Sequence, residues 1–329
     1  MIRVRTGSRL HFGLFSVPSL ELSGWPTQEA KAPLFRRRFG GVGMMINQPG
    51  IAITVDFAKR WSAEGPVSQR ALHFARTYCE EAGVSEAVHL SVESAGPEHA
   101  GLGSGTQLGL AVARSIAELT GQPARRAIAL AGLVRRGVRS AIGVHGFDQG
   151  GLIVEGGKES TGVLSPLLVR IAVPDTWRIL LITPRDLVGI HGQREALAFA
   201  RMENEERDSG TTETLCRLVL LNLLPALVEG NLDAFGAAIY DFNRRVGEMF
   251  EVAQGGIYAH PQVESIVKRL RDLGIQGVGQ SSWGPAVFAI ADACQVESAK
   301  DRLVQEKLIA PDEATITNAR NKPATVESA

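Results

Sequence analysis

Pro97-Glu98-His99-Ala100-Gly101-Leu102-Gly103-Ser104-Gly105-Thr106-Gln107-Leu108-Gly109-Leu110 reads as a glycine-rich loop running into an apolar helix. Glycine lets backbone approach backbone, or a ligand, where a Cβ would clash. Successive N–H groups in such a loop, with a helix N-terminus behind them, form a ready anion site. The preceding run Val88-His89-Leu90-Ser91-Val92-Glu93 alternates in character and predicts a strand. The unit is therefore strand, glycine cradle, helix. Gly101, Gly103 and Gly105, with the hydroxyls of Ser104 and Thr106 among them, point to a phosphate or diphosphate as the anion.

The spacing matches neither common nucleotide fingerprint. A P-loop needs Lys directly after its last glycine, and here Thr106 follows Gly105. The dinucleotide pattern Gly-x-Gly-x-x-Gly is broken whether it is started at Gly101 or at Gly103.

Composition sets the frame around this cradle. The 329 residues suffice for two packed domains. Hydrophobic residues at 44% and charged residues at 21% are those of a soluble globular protein. Lys+Arg and Asp+Glu are both 35, so no global basic field draws nucleic acid. Cys79, Cys216 and Cys294 lie far apart, form no metal or redox spacing, and read as small buried residues. Met1 to Arg5 enters a strand at once, which predicts no signal peptide, and the apolar run Leu218 to Val228 is too short to span a bilayer. A cytoplasmic protein is expected.

Outward from the cradle, residues 2–15 predict a strand broken by Gly7 and Gly13, and Ile51 to Phe57 a second strand. Residues 16–40, with Pro18, Pro26, Pro33 and the run Arg36-Arg37-Arg38, predict a long irregular loop. Residues 66–82 predict a helix closed by Gly83. Leu108, Val112, Ile116 and Leu119 mark the buried stripe of the helix after the cradle. A further helix is predicted from Pro123 through Ala127, Leu130, Ala131 and Val134, and Gly150 leads into a strand. Near residue 170 the pattern restarts. Trp177 to Thr183 predicts a buried strand, and helices follow at about 193–206, 211–229 and 232–250. The third carries Leu232, Phe235, Ile239, Phe242 and Val246 on one face. Pro261 starts a helix that Gly274 closes, Ala286 to Ala291 predicts a strand, and residues 320–329 read as a frayed polar tail. The sum is two α+β layers with a cleft between them, divided at residues 1–170 and 171–329.

The segment Pro97 to Gly105 resembles the second motif of the GHMP kinase superfamily, apart from Gly105, which stands where that motif usually has its second Ser. Three more segments resemble the superfamily in order: Gly7-Ser8-Arg9-Leu10-His11-Phe12-Gly13-Leu14, the region Arg139 to Gly151, and Gly277 to Pro285. Together they span the chain from about residue 4 to 291. Their wording is similar to one branch, the β-ribofuranosylaminobenzene 5′-phosphate synthases. The resemblance implies a two-domain GHMP-kinase-like fold, with an N-terminal mixed sheet and helices and a C-terminal ferredoxin-like α+β domain. It also implies a pentosyl transfer in methanopterin biosynthesis. Phosphoribosyl pyrophosphate gives its sugar to the ring carbon of 4-aminobenzoate or 4-hydroxybenzoate, and diphosphate and carbon dioxide leave. A homodimer is implied too, with no organic cofactor.

On this reading His11, Arg139 and Asp148 are the catalytic candidates. Asp148 supports charge on the ribose or binds magnesium, with Ser104 as the second magnesium ligand. Ser8, Arg9, Gly101, Leu102, Gly103, Ser104, Gly105, Thr106, Gln107, Gln280, Ser281, Ser282 and Trp283 are the substrate- and phosphate-binding candidates. Arg9, Arg136 and Arg139 suit the 5′-phosphate, because a guanidinium grips phosphate with two bonds. Trp283 suits stacking on the acceptor ring. Each has a plainer alternative: a turn cap for Asp148, a helix-end charge for Arg136, core residues for His11 and Trp283, a solvated loop for Arg36 to Arg38. His145 is a weaker candidate, and Glu155 shares a strand face with Ile153. Two other functions remain open: an ATP-dependent small-molecule kinase of the same superfamily, and a metabolite-binding protein that has lost the chemistry.

Overall fold

The computed structural model describes residues 1–16, 37–159, 163–203 and 209–328. Pro18, Pro26, Pro33 and Arg36 of the predicted irregular loop lie outside the described residues.

Strand β1 (Ile2–Leu14) runs antiparallel to the long β2 (Gly41–Phe57), with register shifts between Thr6 and Ser8 and between His11 and Gly13. An extra residue at such a shift bends and twists a strand. β3 (Ser62–Glu64), helix α1 (Ser68–Ala82) and β4 (Val88–Ser94) follow, and α1 closes on Gly83 in the left-handed conformation. The cradle then enters α2 (Ser104–Leu119), the short α3 (Ala127–Leu133) and α4 (Ile142–Gln149). Residues 123–126 stay extended, so α3 begins four residues after Pro123 rather than at it. β5 (Leu152–Glu155) pairs with the start of β2 and with β6 (Leu167–Ile171).

β7 (Arg178–Ile182) begins a second sheet, followed by α5 (Gly192–Glu203) and α6 (Ser209–Leu218). A π-turn at Val219–Leu223 leads to α7 (Leu224–Val228). The π-turn directly precedes Pro225, which has no N–H to continue the helical ladder. The stretch Gly210–Val228 is long and apolar enough to cross a membrane by length and composition. In this fold Leu215, Val219, Leu223 and Leu227 bury in the core, while Leu220, Leu221 and Val228 stay exposed. α8 (Leu232–Gln254) is capped by the Asn231 side chain, which accepts the Ala234 N–H, and ends on Gly255. α9 (Pro261–Asp272), β8 (Gly277–Gln280), β9 (Val287–Ala291), α10 (Ala293–Gln305) and β10 (Ala314–Thr317) complete a four-stranded antiparallel sheet in the order β10-β7-β9-β8. In chain order this is strand, helices, two strands, helix, strand, the ferredoxin-like arrangement.

Two expectations change. Residues 320–329 are no frayed tail. β11 (Thr325–Ser328) pairs with β1 from Ile2↔Ser328 to Arg5↔Thr325, so the last strand returns to the first sheet. The β-branched Thr325 and Val326 and the open edge of β1 supply what polarity alone conceals. The cysteines also differ among themselves, for Cys79 is buried, Cys216 half-buried and Cys294 exposed at the start of α10.

One core cluster joins the two layers. Phe12 of β1 packs on Phe288 of β9 with ring centroids 5.0 Å apart, and Leu102, Trp283 and the apolar stripe of α8 belong to the same cluster. Asn243 sits among these apolar residues. Its amide donates to the carbonyls of Phe12 (2.7 Å) and Gln280 (2.9 Å) and accepts the Gln280 N–H (2.9 Å). Truncation leaves buried backbone groups without partners, each worth about 1–3 kcal/mol. Asn243→Ala is therefore expected to cost about 3 kcal/mol of unfolding free energy in a urea titration. A midpoint equal to that of the parent protein refutes the tie.

Candidate active site

The cleft between the layers encloses about 560 Å³. Three segments meet there: the end of β1, the cradle before α2, and the turn after β8. Backbone bonds fix them together. Arg9 N–H donates to the Leu102 carbonyl (3.0 Å), Ser282 N–H to the His11 carbonyl (2.9 Å) and Ala286 N–H to the Ala100 carbonyl (3.2 Å). The Ser281 hydroxyl, fully buried, accepts the His11 N–H (3.0 Å) and donates to the Gly101 carbonyl (2.8 Å). Gly101 and Gly103 have φ of 81° and 67°, in the region that glycine occupies without strain. A Cβ on Gly103 would lie 2.6 Å from Arg9 Cγ, so the cradle is shaped to the arginine below it.

One end of the cleft is cationic. Arg9, Arg70, Arg136 and Arg139 line it together with Gly103 and Thr106. α2 begins with no side-chain cap and no acidic residue in its first turn, so its own first turn does not neutralise the positive end of the helix. Burial brings the Arg9 guanidinium down to about 10, against the opposing pull of Glu195 and Glu155. Burial, and then the neighbouring Arg70, also lower Arg136. Burial followed by the Arg9 charge holds the His11 imidazole well below its ordinary value, so it is neutral at physiological pH. The other end is aromatic. Trp283 meets Phe199 and Phe250 edge-on, at 5.4 and 4.7 Å between centroids. Arg139 lies over Phe199 at 5.1 Å and pairs with Glu195 at 2.8 Å.

Of the residues expected to form the site, His11, Arg9, Arg139, Gly103, Thr106, Gln280, Ser282 and Trp283 line the cleft. Others support it from behind. Ser8 donates to the Pro49 carbonyl (2.7 Å). Gln107 bridges the Thr6 hydroxyl and the Gly143 carbonyl (both 2.7 Å), Leu102 is core, and Ser281 ties the three segments as described. Gly101 is wedged under the Ser281 carbonyl, and Ser104 opens α2 without lining the cleft.

Asp148 is not brought into the cleft. Its carboxylate accepts the Ala127 N–H at the start of α3 (2.8 Å) and faces Arg114 at 3.6 Å, which is a structural role, though at a helix start and not at the turn before Gly150. His145 bonds the Ser165 carbonyl at 2.8 Å, also outside the cleft. Arg37 bonds the Gly157 carbonyl and pairs with Glu159, away from the site. Ser104 and Asp148 thus form no magnesium site. Among the described residues Glu195 is the one carboxylate lining the cleft, and it is paired with Arg139. Among the described residues the donor set of the cleft does not fit a resident divalent ion.

Arg70, His99, His191, Glu195, Phe199 and Phe250 also line the cleft and were not singled out in the sequence. His99 and His191 stack at 3.6 Å between centroids. Arg70 reads as one more charge on an amphipathic helix. Asn243 carried a legible signal, being an amide next to the apolar stripe of α8.

Family models described as GHMP kinases N terminal domain and GHMP kinases C terminal match residues 69–156 and 223–310. The β-ribofuranosylphenol 5′-phosphate synthase of Methanothermobacter thermautotrophicus is 30% identical, with 98% of this chain and 97% of that protein covered. The protein of the same name from Archaeoglobus fulgidus is 33% identical over 89% of this chain and 88% of its own length. Among solved structures, homoserine kinase from Cytophaga hutchinsonii superposes with a TM-score of 0.67 at 15% identity, covering 99% of this chain and 97% of that one. Mevalonate diphosphate decarboxylase from Staphylococcus aureus gives 0.65 at 14% identity, covering 100% and 99%. At these identities the structures speak for the fold.

Below the cleft floor, buried Glu155 accepts the Ser140 hydroxyl (2.6 Å) and the Ala141 N–H (2.7 Å), and Lys158 donates to the Val138 carbonyl. The two charged side chains thereby clamp the segment that carries Arg136 and Arg139. Burial pushes the Glu155 carboxyl up to about 7 from its ordinary 4.5. The folded protein then holds a proton that the unfolded chain releases, so stability falls as pH rises from about 4.5 through about 7. Glu155→Gln, which does not titrate, should flatten the decline of melting temperature across that window. An unchanged slope refutes the assignment.

Proposed function

The chain belongs to the family of β-ribofuranosylphenol 5′-phosphate synthases on the GHMP kinase fold, and from that membership we propose that it joins phosphoribosyl pyrophosphate to a para-substituted benzoate, with loss of diphosphate and carbon dioxide. It is an enzyme that transfers a ribosyl phosphate group, in methanopterin biosynthesis. The phenol in the relatives' name favours 4-hydroxybenzoate over 4-aminobenzoate as acceptor.

The observation that carries this reading is the pairing of unlike ends in one cleft, a cluster of arginines at a helix N-terminus against a wall of Phe199, Phe250 and Trp283. The cationic end receives the diphosphate. As the bond from C1′ to the diphosphate oxygen breaks, charge gathers on that oxygen, and the guanidinium groups of the cationic end stabilise it. The aromatic end receives the benzoate. Its ring carbon bearing the carboxylate bonds to C1′, with electron density supplied by the para substituent. The bond to the carboxylate then breaks and its electron pair restores the aromatic ring. Because carbon dioxide is the group lost from that carbon, no base has to remove a ring proton there. Neutral His11 adds no charge beside the developing oxocarbenium ion and hydrogen-bonds the ribose in this reading. Arg139 in this reading exchanges its Glu195 partner for the acceptor's carboxylate and holds it until it leaves.

The kinase alternative is not favoured. It needs a carboxylate free to take a hydroxyl proton, and Glu195 is paired while Asp148 caps α3. Magnesium, if used, arrives with the diphosphate, since the described residues of the cleft offer no carboxylate pair to hold it. A cytoplasmic homodimer is part of the proposal, and the exposed Leu220, Leu221 and Val228 are compatible with a partner copy.

The test is incubation with phosphoribosyl pyrophosphate, magnesium and carboxyl-labelled 4-hydroxybenzoate or 4-aminobenzoate. Labelled carbon dioxide and diphosphate should appear one for one. ATP consumption with no label released overturns the proposal. Trp283→Leu should raise the acceptor KM about tenfold, from the lost ring contact, and leave the donor KM near its parent value. Equal effects on both would place the acceptor elsewhere.

A further inference from the structure

Gly105 has no backbone reason to be glycine. It lies in the first turn of α2, and its φ is not positive. Glycine there weakens the helix relative to alanine. The space its Cβ would fill is taken. Arg70 Nη2 lies inside contact distance of that position, with Arg70 Cζ and Arg136 Nη2 each 3.1 Å away. Arg70 comes from another element, α1, and Glu98 of the cradle pairs with it. Arg70 and Arg136 both lie beside the Phe74 ring, at 6.0 and 5.9 Å.

Two guanidinium groups therefore press on the uncapped positive end of a helix. Arg136 Nε is buried with no hydrogen-bond partner. Like charges held this close in a partly desolvated cleft repel, and the arrangement becomes favourable when a polyanion joins it.

We propose that Arg70 and Gly105 act as a pair, in which residue 105 is bare so that the Arg70 guanidinium reaches over the first turn of α2 and grips the donor's diphosphate. Arg70 is then a donor-binding residue, and Gly105 serves the arginine rather than the ligand. The inference rests on the donor reading of the cationic end.

A double-mutant cycle tests it, with the parent, Arg70→Ala, Gly105→Ala and the double variant titrated with inorganic diphosphate by calorimetry. Arg70→Ala should weaken binding about 10- to 100-fold through loss of a charge-assisted pair. Gly105→Ala should lose a comparable amount, because its methyl group displaces the guanidinium. The double variant should bind within about twofold of Arg70→Ala, since the second substitution then removes nothing more. Losses that multiply, or parent-like binding by Arg70→Ala, overturn the pairing. A parent protein that does not bind diphosphate overturns both the pairing and the donor reading, whereas a parent that binds while the losses multiply overturns the pairing alone.

Thermal melts of the same four proteins, without ligand, give a second readout. Gly105→Ala should shift the melting temperature less favourably when Arg70 is present than when residue 70 is Ala, because alanine favours the helix in full only once the space is open. An equal shift in both backgrounds overturns the pairing, and this holds even if Gly105→Ala is unsuited to calorimetry.

Discussion

The Ser281 hydroxyl, accepting from the His11 amide and donating to the Gly101 carbonyl, is the constraint on which the cleft depends. It joins a strand at the start of the chain, a loop a third of the way along and a turn near the end. The strand is regular but bulged near its end, and the loop and the turn alone are short irregular pieces with exposed backbone groups. Together they satisfy one another, as buried backbone groups must. The apolar contact of Phe12 with Phe288 and the amide of Asn243 reinforce the same junction. The cleft is therefore preorganised, since its donors are held by bonds that owe nothing to a ligand.

The chain spends that rigidity on holding unfavourable charge. Arg9 is half-buried and desolvated, and Arg136, also half-buried, shares the space over Gly105 with Arg70. Glu155 and Lys158 act from beneath, one fixing the Ser140–Ala141 corner and the other the Val138 carbonyl. A fold that gathers cations at an uncapped helix end gives up stability there, and recovers it when an anion binds. The aromatic wall on the far side carries no such debt. It is ordinary core, left open on one face.

Much of this was legible in the sequence because it lies in local pattern. The glycine spacing placed the cradle, the 3.6-residue stripes placed α2 and α8, and the restart near residue 170 separated the layers. The residues that failed did so for reasons of distance. Asp148 looks catalytic beside His145 and two glycines, but its partners are Ala127 and Arg114, more than twenty residues upstream. Arg70 looks like a solvated helix charge, because nothing within α1 reveals that it reaches α2. Ser8, Gln107 and Ser281 stand within the motifs and serve them as struts, a role that follows only from what lies opposite. The short strand β11 looks like tail, since its pairing partner is the other end of the chain.

That last strand has a consequence for how the molecule comes into being. Synthesis is vectorial, and β1 emerges from the ribosome long before its outer neighbour β11. Through that interval the founding strand keeps an open flank, a vacancy that any stray extended segment fits. Only β11 seals it. β1 and β11 thus meet in one ladder, and a cut between the two layers does not yield a first half with its sheet whole.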